Sequence, residues 1–224
     1  MTEREMDNIK LSDNFNLGEF CHTKYNSTGL VIPTPAQIGF LKILAKDVLQ
    51  YIRDKYTNTT IHINSGLRTL GIYYQLKKRG YPASRTSDHF LVKSKLTAKD
   101  FKEKFGSSIK IYLDKSNGDY GINPLGSGAA DIIVKDSDTR LLWSKSQMYR
   151  LFKRIANDPY VLSNTNQIIF YHDMGGFIHI SLRREKIFPF RLDSSRPILE
   201  HKKGGYYVPR WAKKNWKYIQ LAKK

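Results

Sequence analysis

Two short apolar runs separated by a pair of glycines constrain the fold of this chain more than any other feature. Residues 167–171 and 177–182 are too short for typical helices, and the connection between them contains Gly175 and Gly176. This pattern is typical of a β-hairpin. A further apolar run, residues 129–134, predicts another buried strand. The chain therefore has to build a sheet.

Helical patterns lie on either side of these strands. Thr34 and Pro35 provide an N-cap followed by proline at the first helical position, and apolar residues follow at helical spacing: Ile38, Leu41, Ala45, Val48 and Ile52. We expect helices over 35–56, 70–78 and 146–156, with a short strand over 59–64. The predicted fold class is α+β, with flanking helices packed on a small antiparallel sheet.

Composition excludes several classes of protein. The 224 residues are 40% hydrophobic, which is too much apolar surface for a disordered chain. Cys21 is the only cysteine, so a disulfide scaffold is excluded. No apolar run approaches the roughly 20 residues of a membrane span. Residues 1–10 do not look like a secretory signal, so we expect synthesis in the cytoplasm without one.

Charge points to an anionic partner. The chain carries 38 Lys and Arg against 20 Asp and Glu, a formal net charge of +18. Such an excess favours nucleic acid, anionic lipid headgroups or the phosphate-rich polymers of a bacterial wall. We divide the chain into a main domain, residues 1–190, with an inserted excursion at about 93–124, and a basic aromatic tail, residues 191–224.

The tail has three interpretations. A solvated charged end is the commonest fate of such a segment. Wall polymers are the favoured partner, because aromatic rings stack on sugars while Lys and Arg bind phosphates. Nucleic acid, recognised by the same ingredients, is the less favoured one. The candidate binding residues are Tyr206, Tyr207, Trp211, Lys213, Lys214 and Trp216.

Three residues form a candidate metal site. His89 lies in a polar loop, Asp131 opens an apolar run, and His179 interrupts another, facing opposite to its apolar neighbours in a strand. Two imidazoles and one carboxylate are a common protein ligand set for catalytic zinc, with the fourth position left to water. The separations of 42 and 48 residues do not by themselves distinguish this set from others.

The order of the motifs resembles a known family. Five motifs carry the resemblance: the segment Leu11–Phe20, the sequence Asn64-Ser65-Gly66-Leu67-Arg68-Thr69, and the three ligand motifs Ser87-Asp88-His89, Gly128-Ala129-Ala130-Asp131 and Phe177-Ile178-His179-Ile180. Their order is similar to that in the zinc D-alanyl-D-alanine carboxypeptidases and phage L-alanyl-D-glutamate endopeptidases (metallopeptidase family 15, hedgehog-like superfamily). The resemblance covers roughly residues 11–183. It implies a hedgehog-like fold, with Zn²⁺ bound by His89, Asp131 and His179.

The resemblance also implies roles for other residues. Arg68 is expected to stabilise an oxyanion or hold a substrate carboxylate. Ser87 is expected to orient one of the metal ligands without contacting the metal itself. Asp173 is our first choice as general base and His172 the second. The chain departs from the family in three ways: about 35 residues are inserted between His89 and Asp131, Ser181 stands where the family often has Asp, and the general base has no clean counterpart.

We therefore expect a zinc peptidase that hydrolyses an amide bond in peptidoglycan stem peptides. Carboxypeptidase and endopeptidase activity remain alternatives. The enzyme is either a free endolysin or a lysin mounted in the virion, and in the second case other virion proteins are further partners. The second hypothesis is a catalytically inactive member of the same fold that binds wall or serves as a virion structural part. The third is a nucleic-acid-binding protein.

Overall fold

A computed structural model describes residues 1–24, 29–33, 35–57, 59–81, 88–89, 112–114, 120–122, 128–182, 198–202, 205–207, 209 and 211–212. The α+β class predicted from the sequence is confirmed. In the described part of the chain, no helix has the length and apolar character needed to cross a membrane.

The helices begin where the sequence provides caps. Thr2 and Glu5 form a capping box at the first helix, Ser144 and Gln147 form one at the longest, and Asp158 caps the last. The segment predicted as a helix over 35–56 is helical throughout 35–57 but contains two stretches of wider π-helical turns, Leu44–Leu49 and Arg53–Thr57. The α-helices are α1 Glu3–Asn8, α2 Leu17–Cys21, α3 Pro35–Ile43, α4 Gln50–Ile52, α5 Leu70–Lys78, α6 Lys145–Ile155 and α7 Pro159–Asn164.

The strands form one main sheet and two small ones. The strands are β1 Lys10–Ser12, β2 Phe15–Asn16, β3 Thr60–Ser65, β4 Tyr112–Asp114, β5 Tyr120–Ile122, β6 Ala129–Lys135, β7 Thr165–Tyr171, β8 Phe177–Leu182, β9 Ile198–Lys202 and β10 Gly205–Tyr207. The main sheet has six strands in the order β10-β9-β7-β8-β6-β3, while β1 pairs with β2 and β4 with β5.

The main sheet is larger than predicted and is not purely antiparallel. Both edges of β8 are occupied, by β6 and β7, so the next strand along the chain has to pair elsewhere. β9 pairs with the free edge of β7 and runs parallel to it, whereas the other neighbours are antiparallel. The predicted antiparallel pairing is confirmed for the strands β6, β7 and β8 and is wrong for the β7–β9 pair.

The two faces of the main sheet differ in chemistry. On one face, fully buried apolar residues of the central strands, such as Ile132, Phe170 and Ile178, join the main hydrophobic core. The helix α6 covers this face with an apolar stripe that includes Met148 and Phe152. The opposite face carries the polar residues of the candidate site.

Part of the predicted tail belongs to the sheet. β9 and β10 extend it at one edge, and Ala212 is fully buried in the main core. The Trp211 ring packs edge-on against Phe152 of α6, with ring centroids 5.7 Å apart. A boundary at residue 191 therefore does not separate these described residues from the domain, because their pairing partners lie in β7 and α6.

The predicted excursion is described only in part. Within 93–124 the structure describes β4 and β5, which form a two-stranded antiparallel sheet. The sequence of this segment also predicts a short helix over 97–105 and a turn over 116–119, and both lie outside the described residues.

Candidate metal centre

Adjacent strands bring Asp131 and His179 face to face. Asp131 of β6 is the direct cross-strand partner of His179 of β8. Directly opposed residues on antiparallel strands project to the same side, with Cβ atoms about 5 Å apart. The His179 Nδ1 atom lies 2.9 Å from Asp131 Oδ1. Strand register alone therefore brings together two of the three candidate ligands.

His89 reaches the same point through a loop that is tied to the end of β3. The Arg68 amide donates a hydrogen bond to the carbonyl of His89 at 2.7 Å. His89 Nδ1 lies 2.5 Å from the carbonyl oxygen of Gly66. Together these two contacts anchor His89 at the base of the inserted segment, so a separation of 42 residues from Asp131 is compatible with one site.

Gly66 has no room for a side chain. A Cβ atom at this position would lie 2.3 Å from the carbonyl oxygen of Phe20 in α2. The neighbouring amide of Leu67 donates to that same carbonyl at 2.7 Å. Close contact between the two backbones thus sets where the Gly66 carbonyl points, and this carbonyl orients the His89 ring.

Three donor atoms converge in the site. His89 Nε2 lies 3.2 Å from Asp131 Oδ1 and 3.0 Å from His179 Nδ1. Tetrahedral zinc ligands at about 2.0–2.2 Å from the ion lie roughly 3.3–3.6 Å from one another. The observed separations are a few tenths of an ångström shorter, so small side-chain rotations would admit the ion. The residues present fit a zinc site.

Proton positions favour a cation between these atoms. A carbonyl can only accept, so His89 Nδ1 carries a proton and, in the neutral ring, Nε2 has a lone pair. With both rings neutral, His179 Nδ1 can supply at most one proton to the other two atoms. His89 Nε2 and Asp131 Oδ1 then face each other as two acceptors, an arrangement that a bound cation relieves.

The electrostatic environment favours the forms that ligate metals. Burial lowers the pKa of His89, and Arg68 acts in the same direction, against the opposite effect of the Asp131 carboxylate. Burial would by itself raise the pKa of Asp131, but the His89 and His179 imidazoles hold it well below its usual range. A neutral imidazole and an ionised carboxylate are the forms that bind zinc.

The three residues are buried in the wall of a large cavity. They are 2%, 7% and 5% exposed for His89, Asp131 and His179 respectively. The cavity has a volume of about 1220 Å³ and is also lined by Arg68, Asp173 and apolar residues of β7, β8 and β9. Ligand sites of drug-sized molecules have roughly 300–1,000 Å³, so this cavity has room for a segment of a polymer.

The structure brings Arg68 to this cavity. The residue is 7% exposed and lines the same cavity as the three donor atoms. Its charge is close enough to His89 to lower the pKa of that imidazole. A guanidinium in this position is suited to a carboxylate or a developing oxyanion.

The two candidates for the general base differ in position. Asp173 lines the cavity, and its side chain is 43% exposed. His172 points to the opposite face of the sheet, where its Nε2 atom lies 3.1 Å from Glu200 Oε2. Of these two described residues, only Asp173 lines the cavity. The structure does not bring His172 to the metal site.

The remaining predicted residues lie apart from the cavity or outside the description. Ser87, Lys213, Lys214 and Trp216 are not among the described residues, and neither is the side chain of Tyr206. Tyr207 is 48% exposed on β10. Trp211 is half-buried, and its Nε1 atom donates to the Tyr149 hydroxyl at 3.4 Å.

Sequence reasoning missed several residues around the site. Glu200 and His201 are 6% and 4% exposed, although both lie in the region predicted as a basic aromatic tail. Asp88, next to His89, is 4% exposed and accepts a hydrogen bond from Asn166 at 3.2 Å. A signal for the first pair was present, because Ile198 and Leu199 form a short apolar run just before them.

A second group of possible ligands lies at the surface. Glu3, Asp7 and His22 bring one donor atom each within 4.8 Å of one another. The two carboxylates approach different nitrogens of the His22 ring, at 3.6 Å and 3.5 Å. All three side chains are exposed, and ion pairing accounts for the arrangement.

The comparisons with known proteins leave the site to be interpreted from its own geometry. No family model matches the chain, and no curated protein and no solved structure is significantly similar to it.

Proposed function

We propose that this protein is a zinc-dependent peptidase that hydrolyses an amide bond in the stem peptides of peptidoglycan. The observation that carries the proposal is the convergence of His89 Nε2, Asp131 Oδ1 and His179 Nδ1 within 3.2 Å of one another, buried in the wall of a large cavity. A hedgehog-like fold, with the helices on one face of the sheet and the ligands on the other, is part of the proposal.

The chemistry divides between the metal and the chain. When bound, zinc supplies Lewis-acid polarisation of a carbonyl and lowers the pKa of water toward neutrality. The chain holds His89 as the Nδ1-protonated tautomer through the Gly66 carbonyl, which leaves Nε2 available as a ligand. Arg68 binds the substrate carboxylate or the developing oxyanion by donating from its guanidinium.

Proton transfer is assigned to Asp173. Its carboxylate borders the cavity, so one of its oxygens can accept a proton from the attacking water and return it to the leaving amine. His172 does not share this task, because Glu200 engages its ring on the other face of the sheet.

The substrate class rests on the resemblance and on charge. A net charge of +18 suits an enzyme that works on an anionic wall. The proposal covers a phage-type lysin, either a free endolysin or a virion component. The cavity volume leaves room for a segment of a polymer, which both an endopeptidase and a carboxypeptidase of the wall would bind.

Metal content and wall digestion test the proposal together. Purified protein is expected to hold about one zinc per chain and to clear peptidoglycan in a zymogram, with clearing abolished by a chelator and restored by zinc. Mass spectrometry of the released fragments identifies the bond cleaved. Zinc-free protein, or clearing that survives the chelator, would contradict the proposal.

A second candidate is a wall-binding protein of the same fold without catalysis. One observation favours it: the Asp173 carboxylate lies 3.7 Å from His201 of β9, which is on the side of β7 away from the metal ligands. This function predicts that the protein sediments with purified wall and binds zinc but releases no fragments. The digestion experiment separates the two candidates.

A further inference from the structure

The connection between β7 and β8 forms a wall of the cavity. Residues 172–176 make this connection, and Asp173 and Met174 line the cavity from it. Gly175 and Gly176 have φ angles of 82° and 84°, a conformation that favours glycine. A Cβ atom on Gly176 would lie 2.9–3.1 Å from Lys145, so the connection rests against the start of α6.

Glu200 of β9 holds this connection from the helix-covered face. Its Oε2 atom lies 3.1 Å from His172 Nε2, and its Oε1 atom accepts a hydrogen bond of 2.7 Å from the Tyr149 hydroxyl of α6. Glu200 is 6% exposed. Lys202 Nζ lies 3.5 Å from the same Oε2 atom. A buried carboxylate keeps such partners in place, because leaving it unpaired is costly.

His201, the next residue of β9, holds the same connection from the cavity face. Its Nδ1 atom lies 3.7 Å from Asp173 Oδ2, and its ring stacks on Tyr171 with centroids 5.1 Å apart. Its carbonyl accepts a hydrogen bond of 2.9 Å from the amide of His172. Two adjacent strand residues thus lie next to two adjacent residues of the connection, one pair on each face of the sheet. The Glu200–His172 pair is at hydrogen-bond distance, and the His201–Asp173 pair is at the longer distance of an ion pair.

We propose that Glu200 and His201 are positioning residues that hold Asp173 at the edge of the cavity. The inference rests on the proposed function for the role of Asp173 as general base. It assigns a task in the reaction to β9, a strand that follows the last candidate metal ligand by 19 residues and lies two strands from it in the sheet.

A double variant, Glu200→Ala with His201→Ala, tests the proposal by hydrogen exchange and kinetics. We expect the amides of 172–176 to exchange at least about tenfold faster, while those of β6 keep their protection. The zinc content stays at one per chain. Peptidase kcat falls about tenfold, with KM changed less than about threefold, because the base is displaced while the metal site remains.

Two control variants show whether the effects come from the positioning of Asp173. Thr60→Ala, at an exposed position of β3 at the other edge of the sheet, leaves both histidine–carboxylate pairs intact and is expected to leave exchange and kcat unchanged. In an Asp173→Asn background, the double substitution is expected to lower kcat no further, because the group that it positions is already removed.

Three results would overturn the proposal: unchanged exchange at 172–176, faster exchange throughout the sheet, or a further loss of kcat in the Asp173→Asn background. If the wild-type protein releases no fragments, the proposed function fails but the exchange experiment still decides whether β9 holds the connection.

Discussion

The two faces of the main sheet are made by the same strands and obey different rules. In β8, Ile178 and Ile180 point to the helices and are fully buried among apolar residues, while His179 between them points to the cavity. The helix-covered face follows the usual requirement that a core be apolar and closely packed. The cavity face instead buries two imidazoles and a carboxylate whose ligand atoms lie within 3.2 Å of one another. Function is expected where the packing rule is broken.

The largest effect is expected when two of the three candidate zinc ligands on the cavity face are removed. In a His89→Ala, His179→Ala double variant, a single carboxylate cannot retain zinc, so metal content should fall from about one per chain to background. Peptidase activity should fall by at least about a thousandfold. Inductively coupled plasma mass spectrometry and the wall-digestion assay measure the two effects. Retention of zinc by a folded variant would place the metal elsewhere.

A substitution on the other face should have the opposite profile. Ile178→Ala removes apolar side-chain atoms next to His179 in sequence but on the helix-covered side, and is expected to cost about 2–5 kcal/mol of unfolding free energy. The zinc content of the folded fraction should remain one per chain. Urea denaturation and metal analysis test this. Loss of zinc at full stability would show that the two faces are not independent.

The backbone of Gly66 contacts Phe20 of α2 and, through its carbonyl oxygen, the His89 ring of the candidate site. Gly66→Ala forces the new methyl group against the Phe20 backbone and is expected to cost about 1–3 kcal/mol, with weaker zinc binding because the carbonyl that orients His89 moves. Gly39→Ala in α3 is the matched control, since its Cβ atom would meet nothing within 4 Å. The control should be neutral or more stable by up to about 1 kcal/mol.

The last prediction concerns how the free energy of unfolding depends on pH, through Asp158 on the helix-covered side. Burial opposes ionisation of Asp158, but hydrogen bonds from Tyr56 and Lys55 lower its pKa to about 2. Its pKa is higher in the unfolded chain, about 3.9. The stabilisation, about 2 kcal/mol, is therefore complete above about pH 5 and is lost as the pH falls toward 2.

The Asp158→Asn variant should be less stable by about this amount at pH 7 and lose less stability between pH 5 and 2. Urea midpoints measured across this range provide the test. An identical pH dependence in the variant and the wild-type protein would assign the acid sensitivity to other carboxylates, with Asp131 on the cavity face as the first candidate.

Much of the fold could be predicted because its signals are local. The strand at 177–182 and the helix at 70–78 have the predicted bounds, and the helices at 35–57 and 145–155 differ from prediction by one residue at each affected end. Each has a clear period, a cap or a glycine boundary. The wide π-helical turns in the first long helix had no signal in the spacing of its apolar residues.

Elements without such signals were missed. The short strands β1 and β2 and the helix α2 lie at the start of a segment, residues 11–33, whose sequence predicts an irregular entry to the domain. β9 lies in a region whose basic and aromatic composition indicated a tail outside the domain, and its apolar part is only two residues long. Its place in the sheet depends on a free edge of β7, which is a property of the assembled sheet.

The candidate site shows the same division between local and non-local information. The amino-acid sequence determined the donor chemistry, two imidazoles and a carboxylate, and the side of the strand on which His179 lies, because alternation follows from the backbone. Only the tertiary structure decided that His89 meets Asp131, that its Nδ1 faces the Gly66 carbonyl, and that Asp173 rather than His172 borders the cavity. These outcomes depend on strand register and on contacts between distant backbones, which no local pattern encodes.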